Sequence, residues 1–544
     1  MRSTTPTTQH QLSVTPEVKT VPSGVPGIEP RNDDRVRPVR KRTSALSWLG
    51  GASLAGRAVH LLGVGGSGMS GLARMLAARG ARVTGTDREP SAMTEALLHG
   101  GIGVTYEHAG AGLPEACDLV VASAAISPGH PLYTAAVARG VEVVLYAEAL
   151  GACMAGRVGV AVAGTHGKST TTAMLGCVLT DAGLDPTVIV GATSSQLERG
   201  CLGGPTGAGS GFRLGAATTT AGPWGGKPGI LVAEACEYNR SFHHYRPKVA
   251  CISSVEADHL DCYATFDAVI ESFREFAAML PTARAGGKLL IGHDNTQRAR
   301  VTAGLRCKVE TIGFSPEADW VVEFDPGTRR VTVVRDRAVV GTWINMVPGA
   351  HNAVNAATAF VMARWLGAER GRMEASLAAF AGIDRRMQRV GEVVVPGGAV
   401  RVYDDYGHHP TEVDTTLRAL REYERPEARG GRLICVFQPH QHSRTRHLLE
   451  EFAQSFSQAD VVIVPPIYFV RDSEAEKTRV SSADLVARLR ERGSEAMHLD
   501  TFGAIVEHLQ NLCRPGDVVV TMGAGPVWQV AREFVAGVRG LAAA

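Results

Sequence analysis

The segment VGVAVAGTHGKSTTTAM, residues 158–174, constrains the fold more than any other stretch of the chain. An apolar run with no polar interruption reads as a strand buried on both faces, which belongs in a parallel sheet. Gly164 and Gly167 let the backbone turn tightly and point its N–H groups inward, and a helical pattern begins directly afterwards. The unpaired N–H groups and dipole of that helix start, with the full charge of Lys168, make an anion site. Ser169 offers a hydroxyl to Mg²⁺, and Thr170 supports the phosphates. The general phosphate-loop pattern has a Gly five positions before Gly167, where this chain has Val162, so GTHGKS is a shortened relative. Strand, GxxGKST and helix in succession predict a triphosphate site; an ordinary glycine turn gives no reason for Lys-Ser-Thr-Thr-Thr.

The same alternation of apolar strand and helical pattern runs through most of the chain and predicts an α/β fold in three domains. Residues 1–56 read as a disordered tail rich in Thr, Pro and Val, with the basic patch RVRPVRKR at 35–42. Residues 57–152 read as a Rossmann-like domain with strands at 58–64, 82–86, 118–122 and 141–145. Residues 153–388 read as a central phosphate-loop ATPase domain with a parallel sheet, strands at 187–192, 230–236, 249–255 and 288–292, a glycine-rich loop at 200–229 and a small β insert at 319–347. Helices at 352–367 and 370–381 close it. Residues 389–544 read as a second Rossmann-like domain with strands VRVYDDY, RLICVFQ, DVVIVPP and DVVVTMG.

The first domain opens on a second glycine loop, HLLGVGGSGMSG, with Gly63-x-Gly65-x-x-Gly68 and Asp87 on the next strand. Read alone, this is a dinucleotide fingerprint and suggests an NAD-dependent dehydrogenase. That reading accounts neither for GTHGKST nor for the third domain. A non-catalytic nucleotide sensor using both loops is a further class.

Charge and composition exclude other classes. Lys and Arg number 56 against 54 Asp and Glu, so nothing electrostatic points to nucleic acid. No apolar run reaches the roughly 18 residues of a membrane span. No secretory signal pattern opens the chain. Ten cysteines without a CxxC pair read as reduced thiols of a cytoplasmic protein.

Two strand ends carry clustered carboxylates, VAEACEYNRSF with Glu234 and Glu237, and CISSVEADHLD with Glu256, Asp258, His259 and Asp261. Carboxylates with a single His suit a hard cation such as Mg²⁺ better than zinc.

GTHGKSTTTAM, EACEYNRSF, EADHLD, HNAVNAATA, DDYGHHPTEV and FQPHQHSRT occur in the order found in the Mur ligases, and the chain resembles that family over about 57–535. The resemblance implies ATP-dependent amide-bond formation in peptidoglycan synthesis through an acyl phosphate. DDYGHHPTEV and FQPH…RT resemble the member that joins L-alanine to UDP-N-acetylmuramate; a recycling ligase that attaches a tripeptide to the same nucleotide sugar is the close alternative. The small-molecule substrates are then UDP-N-acetylmuramate and L-alanine, with ATP and one or two Mg²⁺ ions, Mn²⁺ as a substitute, in a monomer or homodimer.

By the same resemblance, Lys168, Glu234 and His259 carry the catalysis, and Ser169, Glu234 and His259 are the metal ligands. Gly164, Thr165, His166, Gly167, Lys168, Ser169 and Thr170 hold the ATP phosphates. His351 and Asn355, one helical turn apart, flank the adenine, and Arg386, with Arg385 as alternative, reaches the phosphates from IDRRMQRVGE. Asp404 or Asp405 approaches the nucleotide. Tyr406 and His408 lie on the amino-acid side, His440 and Arg444 face the L-alanine carboxylate or the muramoyl portion, and Glu237 and Asn239 meet the substrate. The sugar nucleotide takes Gly65, Ser67, Gly68, Met69, Asp87, His108 and Ser123. The commoner pattern has Arg directly after the His of FQPH, where this chain has Gln441. His259, His408 and His440 are all candidates for the base that deprotonates the amine.

Overall fold

The computed structural model describes residues 44–541 apart from 52, 108–111, 206–208, 220–221 and 471. Three sheets follow one another along the chain. The first contains β1 (Ala58–Leu62), β2 (Arg82–Asp87), β3 (Gly103–Tyr106), β4 (Leu119–Ala122) and β5 (Glu142–Leu145), in spatial order β3-β2-β1-β4-β5. All its pairings are parallel. The order reverses beside β1, so the crevice for a ligand opens at the carboxyl ends of β1 and β4.

The central sheet has ten strands in the order β15-β14-β13-β12-β11-β10-β6-β9-β7-β8. They are β6 (Val158–Ala163), β7 (Thr187–Ser194), β8 (Ser210–Arg213), β9 (Ile230–Glu234), β10 (Val249–Ile252), β11 (Lys288–Gly292), β12 (Lys308–Gly313), β13 (Trp320–Asp325), β14 (Arg330–Arg335) and β15 (Ala338–Ile344). β6 is buried along its whole length and pairs in parallel with β10 and β9. The β insert is not a separate layer: β13 continues the sheet from β12, and β14 and β15 extend it as antiparallel hairpins. The third sheet runs β16-β17-β21-β18-β19-β20. Its strands are β16 (Gln388–Val395), β17 (Gly398–Asp405), β18 (Leu433–Phe437), β19 (Val461–Val464), β20 (Glu495–His498) and β21 (Val518–Met522), parallel except where β16 pairs with β17.

The first two domains share one hydrophobic core, which joins Leu61 and Leu72 to Ile189, Phe212, Leu231 and Phe273. Helix Ser67–Ala78 packs on β7 and β8, and Gly71 permits this: a Cβ there would stand 3.3 Å from Phe212. The stretch 200–229, expected as a loop, therefore supplies an edge strand to this interface.

The expected tail needs correction at its end. Residues Ser44–Leu49 form a helix, and Leu49 and Leu54 are buried in the shared core. Arg79 Nη2 donates to Leu49 O at 2.7 Å, and Arg57 stacks on Trp48 at 5.1 Å. The apolar side chains of SWLGGASL explain the packing. Residues 1–43 lie outside the described residues. Among the described residues, no helix is long and apolar enough to cross a membrane.

Candidate active site

The phosphate loop leaves β6 at the middle of the central sheet and enters helix Lys168–Asp181, whose N-cap is Gly167 at φ 79°, with no side-chain cap. The helix start is thereby left open to an anion. Gly164, at φ 129°, lies so close to the next strand end that a Cβ would stand 2.0 Å from Ser253 Oγ. Thr165 Oγ1 accepts the Glu256 N–H at 2.9 Å, and the His166 N–H donates to Ser254 Oγ at 3.1 Å. The ends of β6 and β10 are thus stitched together.

Lys168 Nζ donates to Gly164 O at 2.6 Å and Thr165 O at 2.9 Å, and lies 2.9 Å from Glu237 Oε2. Burial works against its charge, but Glu237 and its neighbours outweigh burial and raise the ammonium above its ordinary range. Ser169 Oγ donates to Glu234 Oε1 at 2.9 Å, and Glu234 Oε2 accepts the Gly191 N–H at 2.7 Å. A hydroxyl and a carboxylate side by side at an open helix start are the oxygen donors a magnesium–phosphate complex uses. His259, in the left-handed region at φ 55°, places Nε2 3.9 Å from Glu237 Oε1 and 3.7 Å from Asp258 Oδ2. Asn239 is exposed, also at positive φ.

A cavity of about 310 Å³ opens over this loop, and the C-terminal domain forms its other wall. His351 and Asn355 both line it, as their spacing predicts. Burial holds His351 down to about 4, hence neutral, and its buried Nδ1 has no hydrogen-bond partner. Asn355 Oδ1 accepts from Thr171 Oγ1 at 3.2 Å. Arg386, not Arg385, lines the cavity. Arg385 is engaged elsewhere, with Asp404 at 3.1 Å and Gly523 O at 2.6 Å.

The two aspartates of β17 also part company. Asp405 lines the cavity and braces the hinge by accepting the Met387 N–H at 2.7 Å and the Gly407 N–H at 2.7 Å. Burial lifts its carboxyl to about 6 against Arg386 and these N–H groups. Asp404 points away from the cavity, toward Arg385 and Thr521 Oγ1, the latter at 2.7 Å.

Beyond the cavity, Tyr406 lies under Arg385 and Arg386 at 4.9 and 5.2 Å. His408 meets His440 edge-on at 5.8 Å. His440 Nδ1 lies 3.1 Å from Arg444 Nη1, and Arg444 Nη2 donates to Asp258 Oδ1 at 3.0 Å. Tyr406, His408, His440 and Arg444 thus form one cluster on Asp258. Gln441 is buried at φ 68°, and its N–H donates to Tyr468 O at 3.0 Å.

Sequence reasoning passed over Glu412 and Thr411, which carry the closure of the C-terminal domain. Glu412 Oε1 lies 3.3 Å from His166 Nδ1 and 3.2 Å from Arg386, and Thr411 Oγ1 donates to Glu256 Oε2 at 2.7 Å. The only signal for them was an acid in the first turn of a helix, which reads equally well as a cap.

The first glycine loop is a separate pocket, bordered by Gly65, Gly66, Asp87, Arg88 and Ser91. Asp87 Oδ2 accepts the Gly65 N–H at 2.6 Å, so this carboxylate shapes the loop. Helix Ser67–Ala78 starts at Gly66 with no side-chain cap. Gly68 packs on Tyr146, where a Cβ would stand 2.6 Å from Oη, and the Met69 side chain is in the core. Ser123, at the end of β4, lies against Gly63. His108 lies outside the described residues.

The chain matches three family descriptions in succession: the Mur ligase family catalytic domain over residues 58–158, the Mur ligase middle domain over 162–363 and the Mur ligase glutamate ligase domain over 385–525. It is 40% identical over 488 residues to UDP-N-acetylmuramate–L-alanine ligase of Kineococcus radiotolerans, covering 88% of this chain and 95% of that one. It is 35% identical over 482 residues to the protein of the same name from Agathobacter rectalis, covering 88% and 97%. Among solved structures, UDP-N-acetylmuramate–alanine ligase of Thermotoga maritima shares the fold with a TM-score of 0.70 at 22% identity, over 89% of this chain and 99% of that one. A murein peptide ligase from Psychrobacter arcticus gives 0.62 at 25% identity over 89% and 99%.

Proposed function

The chain belongs to the Mur ligase family, and on that premise we infer that it is an ATP-dependent ligase joining L-alanine to the carboxylate of UDP-N-acetylmuramate in peptidoglycan precursor synthesis. The observation that carries this reading is the cavity shared by the phosphate loop of one domain and by Arg386, Asp405 and Glu412 of the hinge and C-terminal domain. A nucleotide held there is enclosed only when the two domains meet, which suits a reaction that must exclude water from an activated carboxylate.

The chemistry divides among the residues accordingly. A carboxylate is a poor electrophile, so the γ-phosphoryl group is passed to it, and the amine of L-alanine then displaces phosphate. Phosphoryl transfer depends mostly on positioning and charge neutralisation. Lys168 and the open helix start take the phosphates, while Arg386 clamps them from the hinge. Ser169 and Glu234 are the residues that would hold Mg²⁺, with His259 toward a second ion; a cation bound there would screen the negative charges of carboxylate and phosphate. Neutral His351 faces the base. The glycine loop at 63–68 takes the pyrophosphate of the sugar nucleotide, so its fingerprint serves a substrate. Tyr406, His408, His440 and Arg444 border the amino acid. A reaction that consumes ATP belongs in the cytoplasm.

Phosphate release from ATP, measured with UDP-N-acetylmuramate, Mg²⁺ and each amino acid in turn, tests the reading. L-alanine should stimulate release. Stimulation by the tripeptide L-alanyl-γ-D-glutamyl-meso-diaminopimelate instead would identify a recycling ligase. No stimulation by either would refute both.

A further inference from the structure

His166, Glu256 and His409 bring three ligand atoms within 4.8 Å of one another at the seam between the central and C-terminal domains. His166 comes from the phosphate loop, Glu256 from the loop after β10, and His409 from the N-cap of helix Pro410–Glu424. His166 Nε2 lies 3.4 Å from Glu256 Oε2, close to the ligand–ligand spacing of about 3.4 Å that bonds of about 2.0–2.1 Å give around a tetrahedral ion. His409 Nδ1 lies 4.0 Å from the same oxygen. Its present partner, the Thr411 N–H, is at a long 3.3 Å.

The surroundings are those of an oriented ligand set. His166 Nδ1 faces Glu412 Oε1 at 3.3 Å, which directs Nε2 toward Glu256, and Thr411 Oγ1 hydrogen-bonds the Glu256 carboxylate at 2.7 Å. A carboxylate behind a histidine, and a hydroxyl on a ligating carboxylate, are the outer contacts that hold metal ligands in place. The His166 ring is buried between Glu412 and Glu256, with a ring nitrogen 3.3 Å from one and 3.4 Å from the other, and as the cation takes its place beside Glu256 the Nε2 proton is released to solvent. Two imidazoles and one carboxylate suit a borderline cation rather than Mg²⁺.

We propose that His166, Glu256 and His409 form a binding site for Zn²⁺ or a similar first-row cation, distinct from the Ser169–Glu234–His259 site, which in the absence of nucleotide fastens the C-terminal domain to the phosphate loop.

The test is Zn²⁺ binding to the full-length, nucleotide-free protein by equilibrium dialysis, with Mg²⁺ in excess to fill the hard-cation sites. One Zn²⁺ per chain should bind. His409→Gln and Glu256→Gln should each weaken it more than tenfold, and Glu412→Gln, which removes the carboxylate behind His166, by about 10- to 100-fold. His259→Ala should retain the ion. X-ray absorption of the Zn²⁺-loaded wild type, which needs no variant, should show two imidazoles. Absence of binding, fewer than two imidazoles, unchanged affinity in His409→Gln, or loss in His259→Ala overturns the proposal. Because no substrate is present, none of these outcomes bears on the ligase reading.

Discussion

Replacing Arg444 with Ala removes half of an ion pair that joins two domains. Arg444 Nη2 lies 3.0 Å from Asp258 Oδ1, and the two side chains are 8% and 9% exposed. Burial alone would push the Asp258 carboxyl up; Arg444, then His259, His408 and His409, hold it well below the usual carboxylate range instead. Breaking a buried pair costs about 3–5 kcal/mol when the orphaned charge must stay buried. The His259 N–H still donates to Asp258 at 2.7 Å in the variant, which argues for the lower end. The orphan has an escape, since domain opening rehydrates it. The cost therefore falls on closure, and about 3 kcal/mol corresponds to a shift of roughly 100-fold toward the open form. Small-angle scattering of the nucleotide-free variant should show a larger radius of gyration, and kcat/KM should fall with the closed fraction, by at most about 100-fold. The thermal midpoint should move little, because the hydrophobic cores are untouched. Arg444 also stands beside the amino-acid site, so the deciding variant is Asp258→Asn/Arg444→Ala, which leaves no orphaned carboxylate and should close better than Arg444→Ala alone. A double variant as open as the single one, or more so, refutes the reasoning.

His166 gives the site a pH dependence. Burial opposes its protonation, but Glu256 and Glu412 outweigh burial and lift it from 6.5 to about 9. A raised value means that the ionic clasp is fully present below 6.5 and is lost as pH rises through about 9. An NMR titration of the His166 ring in the metal-free protein should give a midpoint near 9, moving back toward 6.5 in Glu412→Gln; a wild-type midpoint of 6.5 would contradict this. Gly164→Ala places a Cβ 2.0 Å from Ser253 Oγ and 2.8 Å from the Ser253 backbone N, at φ +129°. It should lower the denaturation free energy by about 1–3 kcal/mol and abolish ATP binding; unchanged binding would mean that the loop is not the phosphate cradle. Chelation of divalent cations should stop phosphate release, with recovery on adding Mg²⁺, while UDP-N-acetylmuramate binding persists. Loss of both would place the sugar nucleotide at the wrong loop.

What was legible in the sequence was whatever one segment carries by itself. Gly164, Gly167, Lys168 and Ser169 fall within six residues and act through the turn those residues make. His351 and Asn355 follow from helical spacing, and Glu234 from its place at a strand end beside β6. Strands with mixed character escaped: β3 is only GVTY on a sheet edge, β20 is EAMH on another, and the longer β16 begins inside the hinge motif. Arg386 is preferred to Arg385 on the resemblance, but the physical reason for that choice was not legible. It depends on Arg385 standing at φ 59°, which sends its guanidinium to Asp404 and leaves its neighbour to the cavity. The contacts that close the molecule were hardest to read. Glu256 and Thr411 are 155 positions apart, and Asp258 and Arg444 186 apart, so no local period links them. Each of these residues also has an adequate local role, as a loop acid or a residue in the first turns of a helix, and local reasoning stops there. The catalytic parts of a ligase built from separate domains can be contiguous in sequence, because each part needs only its own backbone. The closing contacts cannot be, because their work is to make one domain sensitive to the position of another. This is why the phosphate loop could be named from 158–174 alone, whereas the partners of its own His166 became visible only once Glu256 and Glu412 stood on either side of it.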